Sequence, residues 1–301
     1  MKRFLSLLCL LCIVGTADAQ PADNPNTIPF RIGISSHTMG NVNRNDYMAA
    51  FKTWAATVGR EQGLAMRVEA EVFEEMNNLG NAFRDDRLDG LILGAKDLMD
   101  MGMKPEAVLL SCGEEGLYVH YAIVVHRDSS IKDADGLMGR KVVTNNGHLM
   151  GLARSWYEVL LTGHTGGADT KRPGNLIMRE NPAKCILQVF FQQADAALVT
   201  EDSFNLACEL NPQLRKDCKI LSVSPPFIPG LFIIRPGFKE REKLETAIEE
   251  LHKSPGGQQI LSIFQGSRME KHPGSIMEPT LQFLGGQRQE LPNSSPQGAR
   301  P

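Results

Sequence analysis

Apolar runs of strand length alternate with segments of helical spacing along most of the chain. Residues 30–36 (FRIGISS) are compactly apolar, as a buried strand requires, and 46–60 carry apolar positions at helical intervals. Residues 66–73 (MRVEAEVF) alternate strictly in polarity, 76–87 return to helical spacing, and 88–95 (LDGLILGA) read as a fully buried strand. That order, strand, helix, strand, helix, strand, demands right-handed crossovers and helices on both faces of a mainly parallel sheet. A second unit follows: strand 139–145 (GRKVVTN), helix 148–161, strand 176–180 (LIMRE), helix 182–193 and strand 194–200 (ADAALVT). The pattern predicts two α/β lobes, connected by 121–130 going out and 224–237 coming back, with a closing helix over 239–252. The first lobe is expected over 20–124 and 231–284 and the second over 125–230, with a ligand cleft between them. Residues 285–301 are polar and rich in Gly, Pro and Ser, the composition of a disordered tail.

The first residues change the setting of this fold. Lys2 and Arg3, an apolar run from Phe4 to Val14, and the Ala17-Asp18-Ala19 cleavage pattern make 1–19 a secretory signal peptide, with Gln20 opening an exported, periplasmic protein. The run is shorter than the ~20 residues that span a bilayer. Cys9 and Cys12 fall inside the discarded segment. The net charge of −3 and the lack of any basic run argue against nucleic acid as a partner. No dinucleotide glycine pattern, phosphate loop, nucleophile elbow or HExxH occurs, and no metal or cofactor is implied.

The succession FRIGISS, VFEEMNNLGNAFRDDRLDGLILGA, IVVHRDSSIKDADGLMGRKVV, VFFQQADAALVT, SPPFIPGLFIIRPG and LHKSPGGQQIL resembles the periplasmic solute-binding proteins of the phosphate/phosphonate-binding type, over most of 30–264. The resemblance implies the type II periplasmic binding protein fold: two α/β lobes joined by two hinge strands, closing on a small ligand that is often an oxyanion.

In open α/β sheets, ligands sit beyond the carboxyl ends of the strands, where helices present free N–H groups. That rule selects Ser35, His37 and Thr38 after the first strand, Phe73 and Glu74 after the second, and residues 94–97 after the third. In the second lobe it selects Thr144, Asn145, Asn146, Gly147 and His148, then Asn181, then Asp202. Asn146-Gly147 is expected to form a tight turn with positive φ, after which a helix from His148 aims its first amides at the cleft; an ordinary capped turn is the alternative. Phosphate and phosphonate binders of the resembled type carry a hydroxyl cluster at this turn. Here only Thr144 is hydroxylic, Phe73 stands where an aromatic hydroxyl is common, and Pro182 replaces a polar residue. A buried phosphate would be short of donors.

Four thiols remain after the signal peptide. In an oxidising compartment, Cys208 and Cys218, flanking ELNPQLRKD, are expected to form a local disulfide, and Cys185 to pack on an apolar helix face. Cys112, between Ser111 and Gly113, is packing, a partner for Cys185, or a ligand contact. An arsenite-sensing branch of the resembled proteins has a functional cysteine in this region, and the resemblance carries that role to Cys112. Arsenite, a largely neutral trihydroxide with a soft centre, suits a thiolate and few charged donors. The leading reading is therefore a monomeric, non-enzymatic binding protein for a small inorganic oxyanion or oxyacid, arsenite foremost, presented to a membrane histidine kinase. The alternative is the substrate-binding component of a phosphate, phosphite or phosphonate ABC transporter, presenting its ligand to the permease. A Cys-dependent enzyme with Cys112 as nucleophile and His148 as base would lack a third, orienting group.

Overall fold

The computed structural model describes residues 27–40, 43–45, 48–49, 51, 63, 66–113, 116–162, 176–263 and 266–290. Its strands are β1 (Ile28–Ser35), β2 (Met66–Phe73), β3 (Gly90–Gly94), β4 (Ala107–Cys112), β5 (Tyr121–His126), β6 (Val142–Asn145), β7 (Leu176–Arg179), β8 (Ala196–Thr200), β9 (Cys218–Val223), β10 (Gly230–Ile234) and β11 (Arg268–Pro273). They form a six-stranded sheet in the order β11-β4-β10-β3-β1-β2 and a five-stranded sheet in the order β7-β6-β8-β5-β9. The expected parallel core is present in both: β1 pairs with β2 and β3, and β6 with β7 and β8.

The helices are α1 (Met76–Arg84), α2 (Ala95–Asp100), α3 (Ala153–Thr162), α4 (Pro182–Phe190), α5 (Glu201–Leu210), α6 (Pro212–Asp217), α7 (Arg241–Glu249), α8 (Pro255–Ile263) and α9 (Glu278–Glu290). Of the helix expected over 46–60, only Met48, Ala49 and Phe51 are described, all helical. The rest of it, the signal segment 1–19 and residues 291–301 lie outside the described residues. The expected helix 148–161 is split into a 3-10 turn, His148–Met150, and α3. At the far end α9 runs through Glu290, into the stretch expected to be a tail.

Register moves the crossings between lobes. Tyr121–His126 is a strand of the second sheet, antiparallel to β8 and β9, so the chain has left the first lobe before Tyr121 rather than over 121–130. It returns over 224–229 into β10, which lies antiparallel between β3 and β4. The two crossings are bonded to each other. Val119 N–H donates to Phe227 O at 2.8 Å and Phe227 N–H to Val119 O at 3.0 Å. One step further, Ser224 N–H reaches Tyr121 O at 2.8 Å, and Tyr121 N–H reaches Ser224 Oγ at 2.8 Å. A two-stranded ribbon of this kind bends more readily than the packed lobes that flank it.

Alternation along β5 shows how the second sheet is covered on both faces. Tyr121, Ile123 and Val125 enter one core cluster, while Ala122 and Val124 enter another beneath Cys185, Ile186 and Val189 of α4. The first of these clusters also holds Leu91 and Leu93 of β3, Val119, Phe227 and Ile228, so apolar packing runs through the hinge from lobe to lobe. The other face of the first sheet buries Phe30, Ile32 and Ile34 against Leu244 and Ile248 of α7. Each such side chain contributes about 1.5–3 kcal/mol by leaving water. Among the described residues no helix is long and apolar enough to cross a membrane.

Candidate ligand-binding cleft

A cavity of about 930 Å³ opens between the lobes and continues into the first lobe beside Phe51, Ile248, Leu251 and Leu261. Its walls come from the loops at the carboxyl ends of β1 (Ser36 to Gly40), β3 (Gly94, Lys96, Asp97) and β6 (Thr144, Asn145, Asn146, His148), from Arg154 of α3, and from the crossings at Leu117, Val119, Ile228 and Pro229. These are three of the loops that strand polarity selected.

On the first lobe the decisive pair is His37 and Asp97. Asp97 is 2% exposed; its Oδ2 accepts the Gly94 N–H at 3.0 Å and its Oδ1 lies 2.7 Å from Nδ1 of His37. A carboxylate on Nδ1 draws the ring proton there and fixes the imidazole, leaving Nε2 for other partners. The His37 side chain is itself 62% exposed. Ser35 lies just behind the cleft lining, fully buried, its Oγ accepting from His37 N–H at 3.2 Å. Thr38 donates its hydroxyl to Ser35 O at 2.8 Å. Both hydroxyls thus shape the turn that presents His37.

On the second lobe Thr144 donates its hydroxyl to Leu198 O at 2.8 Å, so the one hydroxyl of this turn is already engaged. Asn145 is 8% exposed, and its Oδ1 has no hydrogen-bond partner. Gly147 does not take the expected positive φ: it is extended, at φ −76°. A β-carbon there would lie 3.0 Å from Asn145 Nδ2, so a larger residue would push on the Asn145 carboxamide. The expected helix N-terminus at His148 is only the short 3-10 turn, braced from behind by the buried phenol of Tyr121, which donates to Leu149 O at 2.8 Å and accepts from Leu152 N–H at 3.3 Å.

Four of the expected loop residues stand apart from this cavity. Phe73 packs half-buried against the core and Glu74 is exposed. Asn181 caps α4, its Oδ1 accepting Lys184 N–H at 2.9 Å, and Asp202 lies exposed in the first turn of α5. Sequence reasoning passed over Arg154, Leu117, Leu149, Leu176 and Met178, all of which line the cleft together with Lys96. Lys96 sits inside the 94–97 loop that the strand rule had selected, so it was within reach. Arg154 reaches the cleft from the first turn of α3.

The thiols are placed by register. In β4, Leu109 and Ser111 line the cavity, and the strand's alternation turns Cys112 away from it. Cys112 is fully buried; burial, then the nearby Glu270 carboxylate, pushes its thiol up to about 11, and it donates weakly to Leu110 O at 3.9 Å. A protonated thiol facing the protein interior gives arsenite no thiolate in the cleft. The same placement keeps Cys112 from acting with His148, which does line it. Cys185 is a buried core thiol. Cys208 and Cys218 share a core cluster but are both free, in place of the expected disulfide. The segment between them folds as helix α6 rather than as a loop that doubles back.

The family model described as ABC transporter, phosphonate, periplasmic substrate-binding protein matches residues 41–272. No curated protein sequence matches the chain. Among solved structures, the chain is similar to a binding protein component of an ABC phosphonate transporter from Pseudomonas aeruginosa (15% identity, 91% of each chain covered, TM-score 0.56). It is also similar to PhnD1 from Prochlorococcus marinus in complex with methylphosphonate (15% identity, 89% of this chain and 100% of the other, TM-score 0.56). A third is a Xanthomonas citri protein bound to ATP (17% identity, 87% and 98% covered, TM-score 0.58). At these identities the likenesses establish the fold, two α/β lobes of the type II periplasmic binding protein class. The family match covers most of the chain, and the protein therefore belongs to the periplasmic substrate-binding proteins of phosphonate ABC transporters.

Proposed function

We propose that this protein captures an organic phosphonate, or a closely related organic anion, between its lobes and presents it to an ABC permease. In this reading 1–19 is the export signal and the protein works in the periplasm. The observation that carries the proposal is the placement of cations from opposite lobes on one cleft: Lys96 from α2 and Arg154 from α3, with His37 beside them. Lys96 pairs with Asp100 at 2.8 Å and Arg154 with Glu158 at 2.9 Å, but both are exposed pairs along a helix. Such pairs contribute only about 0.3–0.5 kcal/mol, so either cation can swing to an entering anion at small cost. Closure of one lobe on the other then adds the second cation to a ligand held by the first. Family membership supports the same ligand class and the same kind of membrane partner.

Isothermal calorimetry against methylphosphonate, phenylphosphonate, inorganic phosphate and arsenite tests this. One saturable site for a phosphonate, weakened by Lys96→Ala and by Arg154→Ala, is the expected result. Heat with arsenite or phosphate and none with either phosphonate would overturn it.

A further inference from the structure

The cleft has more apolar wall than an inorganic anion or methylphosphonate can use. Leu117 of the outgoing crossing, Leu149 of the turn after β6, and Leu176 and Met178 of β7 all line it. Met178 is 50% exposed, an apolar side chain held out of the core on a cleft wall. The cavity as a whole, about 930 Å³ including its branch into the first lobe, falls within the ~300–1,000 Å³ that accommodates ligands of drug size. A tetrahedral head with a single methyl group would leave this apolar wall to water.

The polar end of the same cavity offers an acceptor to a protonated head. The Asn145 carboxamide is more than nine-tenths buried and its Oδ1 is unpartnered. A buried acceptor of this kind is costly until something donates to it. A phosphonate carrying one proton offers a P–OH to that oxygen while its ionised oxygens remain for the cations. Hydrogen phosphate and arsenite carry hydroxyls too, so it is the apolar wall, and not this acceptor, that singles out an organic substituent.

Building on the reading that the cleft binds a phosphonate-class anion, we infer that its ligand is a hydrophobic organophosphonate. The singly protonated head meets Asn145, and an alkyl or aryl substituent lies against Leu117, Leu149, Leu176 and Met178.

The test is calorimetry on the exported protein with methyl-, butyl-, hexyl- and phenylphosphonate, repeated on Met178→Ser. Because Met178 is half exposed, its replacement leaves the core intact. Affinity is expected to rise by about fourfold per added methylene, the factor that corresponds to burying one such group, until the wall is covered. In Met178→Ser the rise is flattened, with hexylphosphonate losing more affinity than methylphosphonate. If methylphosphonate binds and longer chains bind equally or more weakly, this inference is overturned while the proposed function stands. If no phosphonate of any length binds, both are overturned.

Discussion

Gly40 of the first lobe stands directly against Asn146 of the second. A β-carbon on Gly40 would lie 2.8 Å from the Asn146 carbonyl oxygen and 3.1 Å from the His148 amide nitrogen, and Gly40 holds φ at +58°. The obstructing atoms are backbone and cannot move aside as a side-chain tip can. The lobes are therefore in contact at the cleft, through a position that only glycine suits. Gly40→Ala adds about 1–2 kcal/mol for the left-handed backbone as well as the clash. The backbone cost should appear as lost stability, while the clash with the second lobe should weaken phosphonate affinity by holding the lobes apart. Unchanged affinity in calorimetry would mean that the bound lobes do not meet here.

Asp97→Asn removes one of the two acceptor oxygens that hold Gly94 and His37. With the site 2% exposed, the loss should lower stability by about 1–3 kcal/mol, read as a shift in the urea midpoint, and weaken phosphonate binding through a loosened His37. A variant with parental midpoint and parental affinity would remove Asp97 from the site.

Cys112→Ser places a hydroxyl where the thiol is fully buried. The expected effect is a stability loss of about 1–3 kcal/mol with phosphonate affinity unchanged. Loss of binding in a protein that still melts cooperatively would return Cys112 to the ligand.

Three thiols should make the fold sensitive to alkali. Burial, the largest cause at each, pushes Cys112, Cys185 and Cys218 from 9.0 up to about 11. Above pH 9 the unfolded chain gives up thiol protons that the folded chain retains. The unfolded state then binds fewer protons, so stability falls as pH rises from about 9 to about 11, and below 9 these groups contribute no slope. Thermal melts across that window should show the decline, and Cys185→Ala should make it shallower. A thiol titration of denatured, unreduced protein lacking 1–19 adds a check: four reactive thiols match the free cysteines, whereas two would mean that one pair of them is bonded in solution.

The parallel strands could be read from the chain because their apolar runs are dense: IGIS in β1 and GLILG in β3 leave little other choice. The rule that ligands lie beyond strand carboxyl ends then picked out His37, Asp97, Asn145 and His148, all of which do line one cavity. The edge strand β11 (RMEKHP) was invisible, since it is polar and no part of it is deeply buried. The face on which Cys112 lies was beyond reach for a different reason. A single step of register decides whether Ser111 or Cys112 points to the cleft, and that step is set by pairing with β11, more than a hundred residues away. Asn181 looked like a ligand group because capping and ligand binding use the same side-chain oxygen; α4 takes it.

The most direct test of the account follows phosphorus itself. In a ³¹P NMR titration, the resonance of phenylphosphonate should broaden and shift saturably at one equivalent of protein, with Arg154→Ala weakening the effect and arsenite unable to displace the ligand. A sharp, unshifted ³¹P line at excess protein would contradict the claim that this cleft holds a phosphonate.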